Sequence, residues 1–154
     1  VLTDLWDVKW NLCDVTAEGS TLFFICDLNL KTCRQDAIYF QSKADEIEAA
    51  GLKPCFIFLG DPASVRAHAL NLRIKIDSYI DTDNVTQRTI LTKQILPAIV
   101  RIDSNCNVEK IVYGGGEALP ANLDFVLQPE RSRIRVWFLI IAALLIASGF
   151  FAIR

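Results

Sequence analysis

LFFICDLNLKTCRQ, residues 22 to 35, passes from a continuous apolar run into a more polar segment that carries a cysteine, Cys33. The runs TLFFIC (21 to 26) and CFIFLG (55 to 60) are short and uninterrupted, which is typical of strands covered on both faces in a parallel sheet. Between them, residues 37 to 47 repeat apolar side chains at helical spacing. Strand, helix and strand in this order predict a right-handed βαβ unit.

The start of this helix is predicted from a short polar pattern. Thr32 followed by Gln35 has the form of a capping box, in which two side chains bond the free backbone N–H groups of the first turn. The pattern predicts Cys33 within that turn. There the helix dipole and the neighbouring Lys31 are expected to lower the pKa of a thiol.

The remaining elements follow from apolar spacing and turn residues. They are a half-exposed strand at 8 to 13, a helix opening at Asp61–Pro62, a short edge strand at 74 to 80, a helix at 85 to 94 capped by Thr82 or Asp83, an antiparallel hairpin at 98 to 113 and a final helix at 117 to 127. The glycines at 114 to 116 predict a flexible turn, because no helix-opening lysine follows them as in a phosphate loop. Residues 1 to 127 are therefore predicted to form one α/β domain.

Overall composition limits the function. The 154 residues carry a net charge of −2 with a pI near 5.4, so the chain lacks the basic field of nucleic-acid-binding proteins. Its five cysteines are scattered without a Cys-x-x-Cys pair and only one histidine is present, so we expect no metal site. No motif indicates a cofactor or a small-molecule substrate. Cysteine usage of this kind favours a reducing compartment.

The C-terminal part of the chain differs in composition. VWFLIIAALLIASGFFAI, residues 136 to 153, is uncharged, and as a helix it spans about 27 Å, nearly the thickness of a bilayer core. The alternative, a buried helix of a soluble core, should show a polar face, and only Ser148 and Gly149 interrupt this run. The sequence therefore predicts a hinge at 128 to 133 and a single transmembrane helix at 134 to 154.

Residues at the ends of this segment predict its anchoring and orientation. Trp137 is suited to the headgroup level, and Arg135 and Arg154 can extend their charges out of the bilayer core. Arg131, Arg133 and Arg135 precede the segment, whereas only Arg154 follows it. By the positive-inside rule the domain is expected on the cytoplasmic side, or on the matrix or stromal side of an organelle.

Small residues within the segment predict a helix partner. Ala143 pairs with Ala147, and Ser148 pairs with Ala152, each at a spacing that lets a second helix approach closely. The expected partners of the chain are therefore the lipid bilayer and other subunits of a membrane complex.

Three stretches resemble the thioredoxin-like fold family, and within it the membrane-associated TlpA, ResA and peroxiredoxin-related group. Residues 22 to 35 are similar to the passage in which a Cys-Pro-Pro-Cys-Arg motif opens the first helix of that group. QILPAIVRID, residues 94 to 103, looks like the stretch where a proline, cis in this family and here Pro97, begins a strand. NCNVEKIVYG, residues 105 to 114, resembles the turn and last strand that follow. The resemblance covers residues 8 to 127 and implies a three-layer α/β/α domain.

The resemblance breaks at the centre of the family's chemistry. Aligning Cys33 and the arginine after it with the second cysteine of the motif puts Leu30 where the family has its attacking thiol. Leucine has no nucleophile, so the step that starts thiol–disulfide exchange is missing. Cys26 is a candidate resolving partner for Cys33, although it belongs to an apolar strand and is expected to point into the core.

Three functions remain open. The favoured one is a redox-inactive domain on a membrane anchor that serves as an accessory, structural or assembly subunit of a membrane protein complex. The alternatives are a membrane-tethered thiol–disulfide oxidoreductase that uses Cys33, and an assembly factor that holds a metal or cytochrome client through the same thiol. In the favoured function, the family's peptide groove becomes a contact surface. Its predicted residues are Leu30, Lys31, Thr32, Cys33, Ile95 or Leu96, and Pro97.

Overall fold

The computed structural model describes residues 1 to 128. The predicted transmembrane helix at 134 to 154 and nearly all of the predicted hinge lie outside the described residues, and so do the predictions made for residues within them. Within residues 1 to 128, no helix is long and apolar enough to cross a membrane.

Residues 1 to 128 form one mixed sheet of seven strands in the order β2-β1-β5-β4-β3-β6-β7. The strands are β1 (Leu2–Asp4), β2 (Lys9–Trp10), β3 (Thr21–Asp27), β4 (Lys53–Leu59), β5 (Ser78–Asp81), β6 (Ala98–Ile102) and β7 (Val108–Tyr113). The helices are α1 (Leu12–Thr16), α2 (Lys31–Ser42), α3 (Ala44–Ala49), α4 (Pro62–Asn71), α5 (Val85–Ile90) and α6 (Leu119–Leu127), with a 3₁₀ turn at Gly116–Ala118. β3, β4 and β5 are parallel, and the other neighbouring strands pair antiparallel.

Helices cover both faces of the sheet because the side chains of each strand alternate between two buried clusters. On β3, Phe24 and Cys26 belong to the cluster that packs against α2, α4 and α6, whereas Phe23 and Ile25 belong to the cluster that packs against α1 and α5. Phe24 also stacks on Phe40 of α2, with ring centroids 5.1 Å apart. The thioredoxin-like α/β arrangement implied by the resemblance is confirmed.

The sheet has two ends that are used differently. We call the end where β3, β4, β5 and β7 finish the carboxyl edge, and the end where they start the amino edge. Helices α2, α4 and α6 follow strands of this direction, so each begins at the carboxyl edge and returns toward the amino edge. The Asn122 side chain donates to the carbonyl of Tyr113 at the end of β7, and Lys110 Nζ donates to the carbonyl of Gln128 at 2.8 Å. The described chain therefore ends at the amino edge.

A disulfide joins Cys13 of α1 to Cys106 in the turn between β6 and β7, with Cα atoms 5.1 Å apart and a sequence separation of 93. The Asp103 side chain shapes this turn by accepting the backbone N–H groups of Asn105 and Asn107 at 2.9 and 2.8 Å. Cys106 lies in the left-handed region with a φ of 64°, a conformation that costs a non-glycine residue free energy. No spacing in the sequence indicates this pair, because its two cysteines are 93 positions apart.

Two of the predicted strands differ from the observed ones. The half-exposed strand predicted at 8 to 13 is limited to β2, because Leu12 and Cys13 already belong to α1. The segment 74 to 80 is not an edge strand, because β1 pairs with the outer side of β5. The hairpin predicted at 98 to 113 is confirmed, as β6 and β7 pair antiparallel.

The helix ends also correct the predicted caps. Thr32 lies inside α2 and makes no capping bond, since the N-cap residue is Leu30. Thr82 and Asp83 do not cap α5. Instead, the Asp81 carboxylate accepts the backbone N–H groups of Val85 and Gln87 in the first turn, each at 3.0 Å. The start of α4 is confirmed: the Asp61 side chain accepts the backbone N–H of Ser64 at 2.9 Å.

Candidate functional site

The passage from β3 to α2 is a tight turn held by its own backbone and one arginine. The Asp27 carboxylate accepts the N–H of Asn29 at 2.8 Å, and the Asp27 carbonyl accepts the N–H of Leu30 at 3.1 Å. From the helix side, the Arg34 guanidinium donates to the carbonyls of Leu28 and Asn29 at 2.7 and 3.1 Å. These bonds satisfy polar groups that the turn leaves without ladder partners, and so fix the start of α2.

The turn exposes Leu30 and buries Cys33. Leu30 is 47 % exposed at the N-cap of α2, and Lys31 and Thr32 beside it are exposed. Cys33, one turn further along the helix, has no exposed surface and belongs to the core cluster under α2. The residue in the family's attacking position is therefore the accessible one, and it is an aliphatic side chain.

Cys33 and Cys26 lie together in the core. The interaction with the Cys26 thiol holds the pKa of Cys33 below its ordinary value, although burial acts in the opposite direction. Burial, followed by the interaction with Cys33, raises the pKa of Cys26 well above its ordinary value. Both cysteines lie in the core without solvent contact. Sequence reasoning expected Cys26 in the core, and the structure places it there.

A buried carboxylate lies on the same face of α2 as Cys33. Asp36 is 5 % exposed, and its two oxygens accept the backbone N–H of Gly116 at 3.0 and 3.1 Å. A Cβ atom at Gly115 would lie 1.9 Å from Asp36 Oδ2 and 2.6 Å from Pro97 Cγ, so the glycine lets three segments meet. The turn predicted as flexible is therefore held by α2.

The segment before β6 lies at the same end of the sheet as the start of α2, because Ala98 pairs with Ile25 near the end of β3. The Leu96–Pro97 peptide bond is cis, as the resemblance implied, and Pro97 is buried. Leu96 is half-buried and packs against the cluster on the opposite face of the sheet, whereas Ile95 is 48 % exposed. The apolar side chain that this segment offers to solvent is therefore Ile95.

The site offers apolar contact and no accessible thiol. Cys26, Cys33 and Cys55 are buried, and burial raises the pKa of Cys55 to about 12. The other two cysteines are bonded to each other. Among residues 1 to 128, no three His, Cys, Asp or Glu side chains come together as metal ligands would. The three free cysteines of this part of the chain are therefore not accessible as thiolates.

Sequence reasoning missed Asp36 and Gly115. One signal for Asp36 was present: it follows Cys33 by three residues, so it lies on the apolar face of the helix, where an aspartate needs a partner. Gly115 is 79 positions from Asp36 in the numbered chain, and no local pattern connects them.

Comparison with solved structures shows the fold. No protein-family description matches the sequence, and no curated protein sequence matches it. Among solved structures, the peroxidoxin BcpB from Mycobacterium tuberculosis is similar with a TM-score of 0.69 and 16% identity over 85% of this chain and 92% of that chain. A putative thiol:disulfide interchange protein DsbE from Chlorobium tepidum gives a TM-score of 0.66 and 19% identity over 82% of this chain and 92% of that one.

A third neighbour supports the same assignment. The solution structure of a putative thioredoxin from Neisseria meningitidis gives a TM-score of 0.63 and 16% identity over 85% of this chain and 89% of that chain. The three neighbours share the thioredoxin-like architecture at low sequence identity. The chain therefore has a thioredoxin-like fold, and its function has to be argued from its own residues.

Proposed function

We propose that this chain is a membrane-anchored, redox-inactive thioredoxin-like protein that acts as an accessory, structural or assembly subunit of a membrane protein complex. The observation that carries the proposal is Leu30, an exposed aliphatic side chain in the position of the family's attacking thiol. Cys33 is the one cysteine of the motif that remains in the aligned positions, and it is fully buried. Without an accessible nucleophile, the scaffold retains a binding surface and loses the exchange reaction.

The contact surface of the proposal is the groove between the start of α2 and the segment before β6. Leu30 and Ile95, one from each segment, are about half exposed, and we propose that they are the apolar contacts of this groove. Lys31 and Thr32 supply polar groups at the rim. The proposed partner is a polypeptide segment of another subunit that presents an apolar side chain.

The proposed anchor is the apolar sequence at 134 to 154, with Trp137, Arg135 and Arg154 at the lipid headgroups. The arginines before it favour the cytoplasmic side, whereas the Cys13–Cys106 disulfide supports an oxidising compartment, because such bonds are rare where thiols are kept reduced. These two observations favour opposite sides, and we keep the cytoplasmic, matrix or stromal side that the arginines predict.

Restoring the missing thiol tests the loss of exchange activity. With dithiothreitol as reductant, the native chain is expected to leave insulin disulfides unreduced beyond the uncatalysed rate, and Leu30→Cys is expected to raise the rate at least about tenfold. Leu30→Cys combined with Cys33→Ser is the matched control, since it has the new thiol without its partner. Equal turnover by the native chain and Leu30→Cys would contradict the proposal.

Site-specific crosslinking tests the subunit role. A photo-reactive residue in place of Leu30 is expected to crosslink the full chain, in its native membrane, to one defined membrane protein that co-migrates with it after mild detergent extraction. The same residue in place of Val85 is the control, because Val85 is 48 % exposed on a different surface. A chain that migrates as a monomer without crosslinks from either position would refute the subunit role.

One observation favours a second candidate function. Cys26 and Cys33 lie in one buried cluster as free thiols, and as an oxidoreductase the pair would become a disulfide by reducing a client disulfide to two thiols. As thiols, the pair would instead serve a factor that holds a metal or cytochrome client. This candidate predicts that a client disulfide or metal reaches the pair in the folded protein. Rapid alkylation of Cys33 in the native state, abolished by Cys33→Ser, would favour it, and an inert Cys33 supports the redox-inactive proposal.

A further inference from the structure

The hairpin tip between β1 and β2 meets the end of α4 in an open apolar groove of about 520 Å³. Its apolar walls are Leu5, Trp6, Ala69, Leu70 and Ile74. Trp6 and Leu70 are each 79 % exposed, the highest values among the large apolar side chains of residues 1 to 128. We call this surface the Trp6 groove. Two such side chains held in water side by side indicate a surface that is covered in the working protein.

The hairpin tip that carries Trp6 is held in place by hydrogen bonds. The Asp4 carboxylate accepts the backbone N–H groups of Trp6 and Val8 at 2.8 and 2.9 Å and the ring N–H of Trp10 at 3.1 Å. Across the groove, Arg66 of α4 donates to the carbonyl of Leu5 at 3.1 Å. The tip is therefore fastened both within itself and to α4, and Trp6 is held outward.

The rim of the groove is basic. Arg66 is paired with Asp7, but Arg73 and Lys75 are exposed and have no carboxylate within 4.0 Å among residues 1 to 128. The Gln41 side chain fixes their loop by donating to the carbonyl of Arg73 at 3.3 Å and accepting the N–H of Lys75 at 2.6 Å. The two free cations thus stand at a defined place beside Trp6 and Leu70.

Arg73 occupies a position where glycine is usual. It follows α4 with a φ of 52°, and the N–H of Ile74 bonds the carbonyl of Ala69 to close the helix end. A non-glycine residue in this left-handed conformation costs free energy.

The chain leaves the described domain at the same end. Both the hairpin tip and the end of α4 lie at the amino edge, where α6 ends at Leu127. From there, residues 129 to 135 can span at most about 25 Å before the uncharged run begins. With the anchor of the proposed function, this end of the domain therefore lies close to the bilayer surface, and the Leu30 end points away.

We propose that the Trp6 groove contacts an anionic lipid surface, with Trp6 and Leu70 entering the headgroup region and Arg73 and Lys75 binding lipid phosphates. Tryptophan prefers this interface, and arginine and lysine can lie along apolar surface while their charges reach the headgroups. The contact is confined to this corner, because α3 carries Asp45, Glu46 and Glu48 toward the middle of the same end. The orientation rests on the proposed anchor, whereas the groove's affinity for lipid does not.

Other occupants fit the surface less well. The segment of this chain from residue 129 to 135 carries three arginines and one glutamate, and this net positive charge is repelled by a basic rim. A protein partner with acidic residues would match the charge, but nothing brings it to this end of the domain as the anchor sequence brings the bilayer.

Quenching of single tryptophans by brominated lipid tests the proposal. The full chain is reconstituted in vesicles of phosphatidylcholine and phosphatidylglycerol, with plain or dibrominated acyl chains. One variant keeps only Trp6, through Trp10→Phe and Trp137→Phe, and a second keeps only Trp137. Brominated chains are expected to reduce Trp6 emission by about half, since a tryptophan at the headgroup level lies near the upper acyl carbons.

Two variants changed in the Trp6 groove and one control variant changed elsewhere show whether Trp6 contacts lipid through the groove or is only held near the membrane. Arg73→Glu with Lys75→Glu, and separately Leu70→Ser, are expected to abolish most of the Trp6 quenching. Arg88→Glu with Lys93→Glu reverses the same number of exposed charges away from the Trp6 groove and is expected to leave the quenching unchanged.

The outcomes separate this inference from the proposed anchor. If Trp137 is quenched and Trp6 is not, the groove contact is refuted and the proposed anchor is supported. If Trp6 is quenched and Trp137 is not, the groove contact is supported and the proposed anchor is refuted. Trp6 quenching that survives the double charge reversal overturns the anionic-lipid assignment. A Trp6 emission shift caused by a polyglutamate peptide or by raised protein concentration, without lipid quenching, overturns it in favour of a protein partner.

Discussion

Removal of the Cys13–Cys106 disulfide is expected to destabilise the domain strongly. The bond closes a loop with a sequence separation of 93, for which the chain-entropy relation gives about 4.6 kcal/mol. Domains of this size are stable by about 5 to 15 kcal/mol, so the loss is a large part of the total. We therefore expect Cys13→Ser with Cys106→Ser to lower the free energy of unfolding by about 4 to 5 kcal/mol.

The conformation of Cys106 supplies an internal control. Its φ of 64° suits glycine and costs other residues about 1 kcal/mol, so Cys13→Ser with Cys106→Gly should be about 1 kcal/mol more stable than the double serine variant. Neither variant has the disulfide, and the difference between them isolates the backbone contribution of one residue from the effect of the crosslink.

Urea unfolding of the full chain in a mild nonionic detergent, followed by far-ultraviolet circular dichroism, measures both effects. The native chain in excess reductant should match the double serine variant within about 1 kcal/mol, because reduction and substitution remove the same constraint. A double serine variant that loses less than about 1 kcal/mol, with an unchanged denaturant slope, would refute the loop-closure reasoning.

Three further changes are predicted from contacts in the structure. Gly115→Ala should cost about 1 to 3 kcal/mol in urea unfolding, because the new methyl group overlaps Asp36 and Pro97; an unchanged midpoint would contradict the close approach. Asp61→Ala should cost about 1 kcal/mol through loss of the α4 cap, and no loss would mean that the bond to Ser64 contributes nothing. Although burial alone raises it, hydrogen bonds hold the pKa of Asp4 below its ordinary value, so its contribution to stability is present above about pH 4 and lost as the pH falls through the lowered pKa. Stability measured from about pH 6 to about pH 3 should fall less steeply in Asp4→Asn, and parallel curves would refute this.

The sequence predicts the elements that carry strong local patterns. β3 and β4 are recognisable because they are covered on both faces and their apolar runs are unbroken. The start of α4 is recognisable because an aspartate cap and a first-turn proline are adjacent. Each of these signals lies within a few residues, so a single sequence is enough to read it.

The errors concern contacts between distant segments. β1 has three residues, too few to show the two-residue alternation of a strand. Because the sequence does not reveal β1, β5 is wrongly assigned to the edge of the sheet. Cys13 and Cys106 are individually unremarkable, and only the folding of the β6–β7 turn against α1 brings them together. The capping pattern at Thr32 failed because the preceding turn is fixed by Asp27 and Arg34, which leaves the helix to begin one residue before it.

The opposite ends of the sheet determine how far from the bilayer a partner can be engaged. β3 has 7 residues, which correspond to about 23 Å along the strand. With the Trp6 groove resting on lipid, Leu30 would stand at least that height above the headgroups. A loop lying flat on the membrane could not reach it, so the chain would select partners by their projection from the membrane as well as by their side chains. A change of a few residues in the length of such a partner's helix would then affect binding as much as a change of the residue that contacts Leu30.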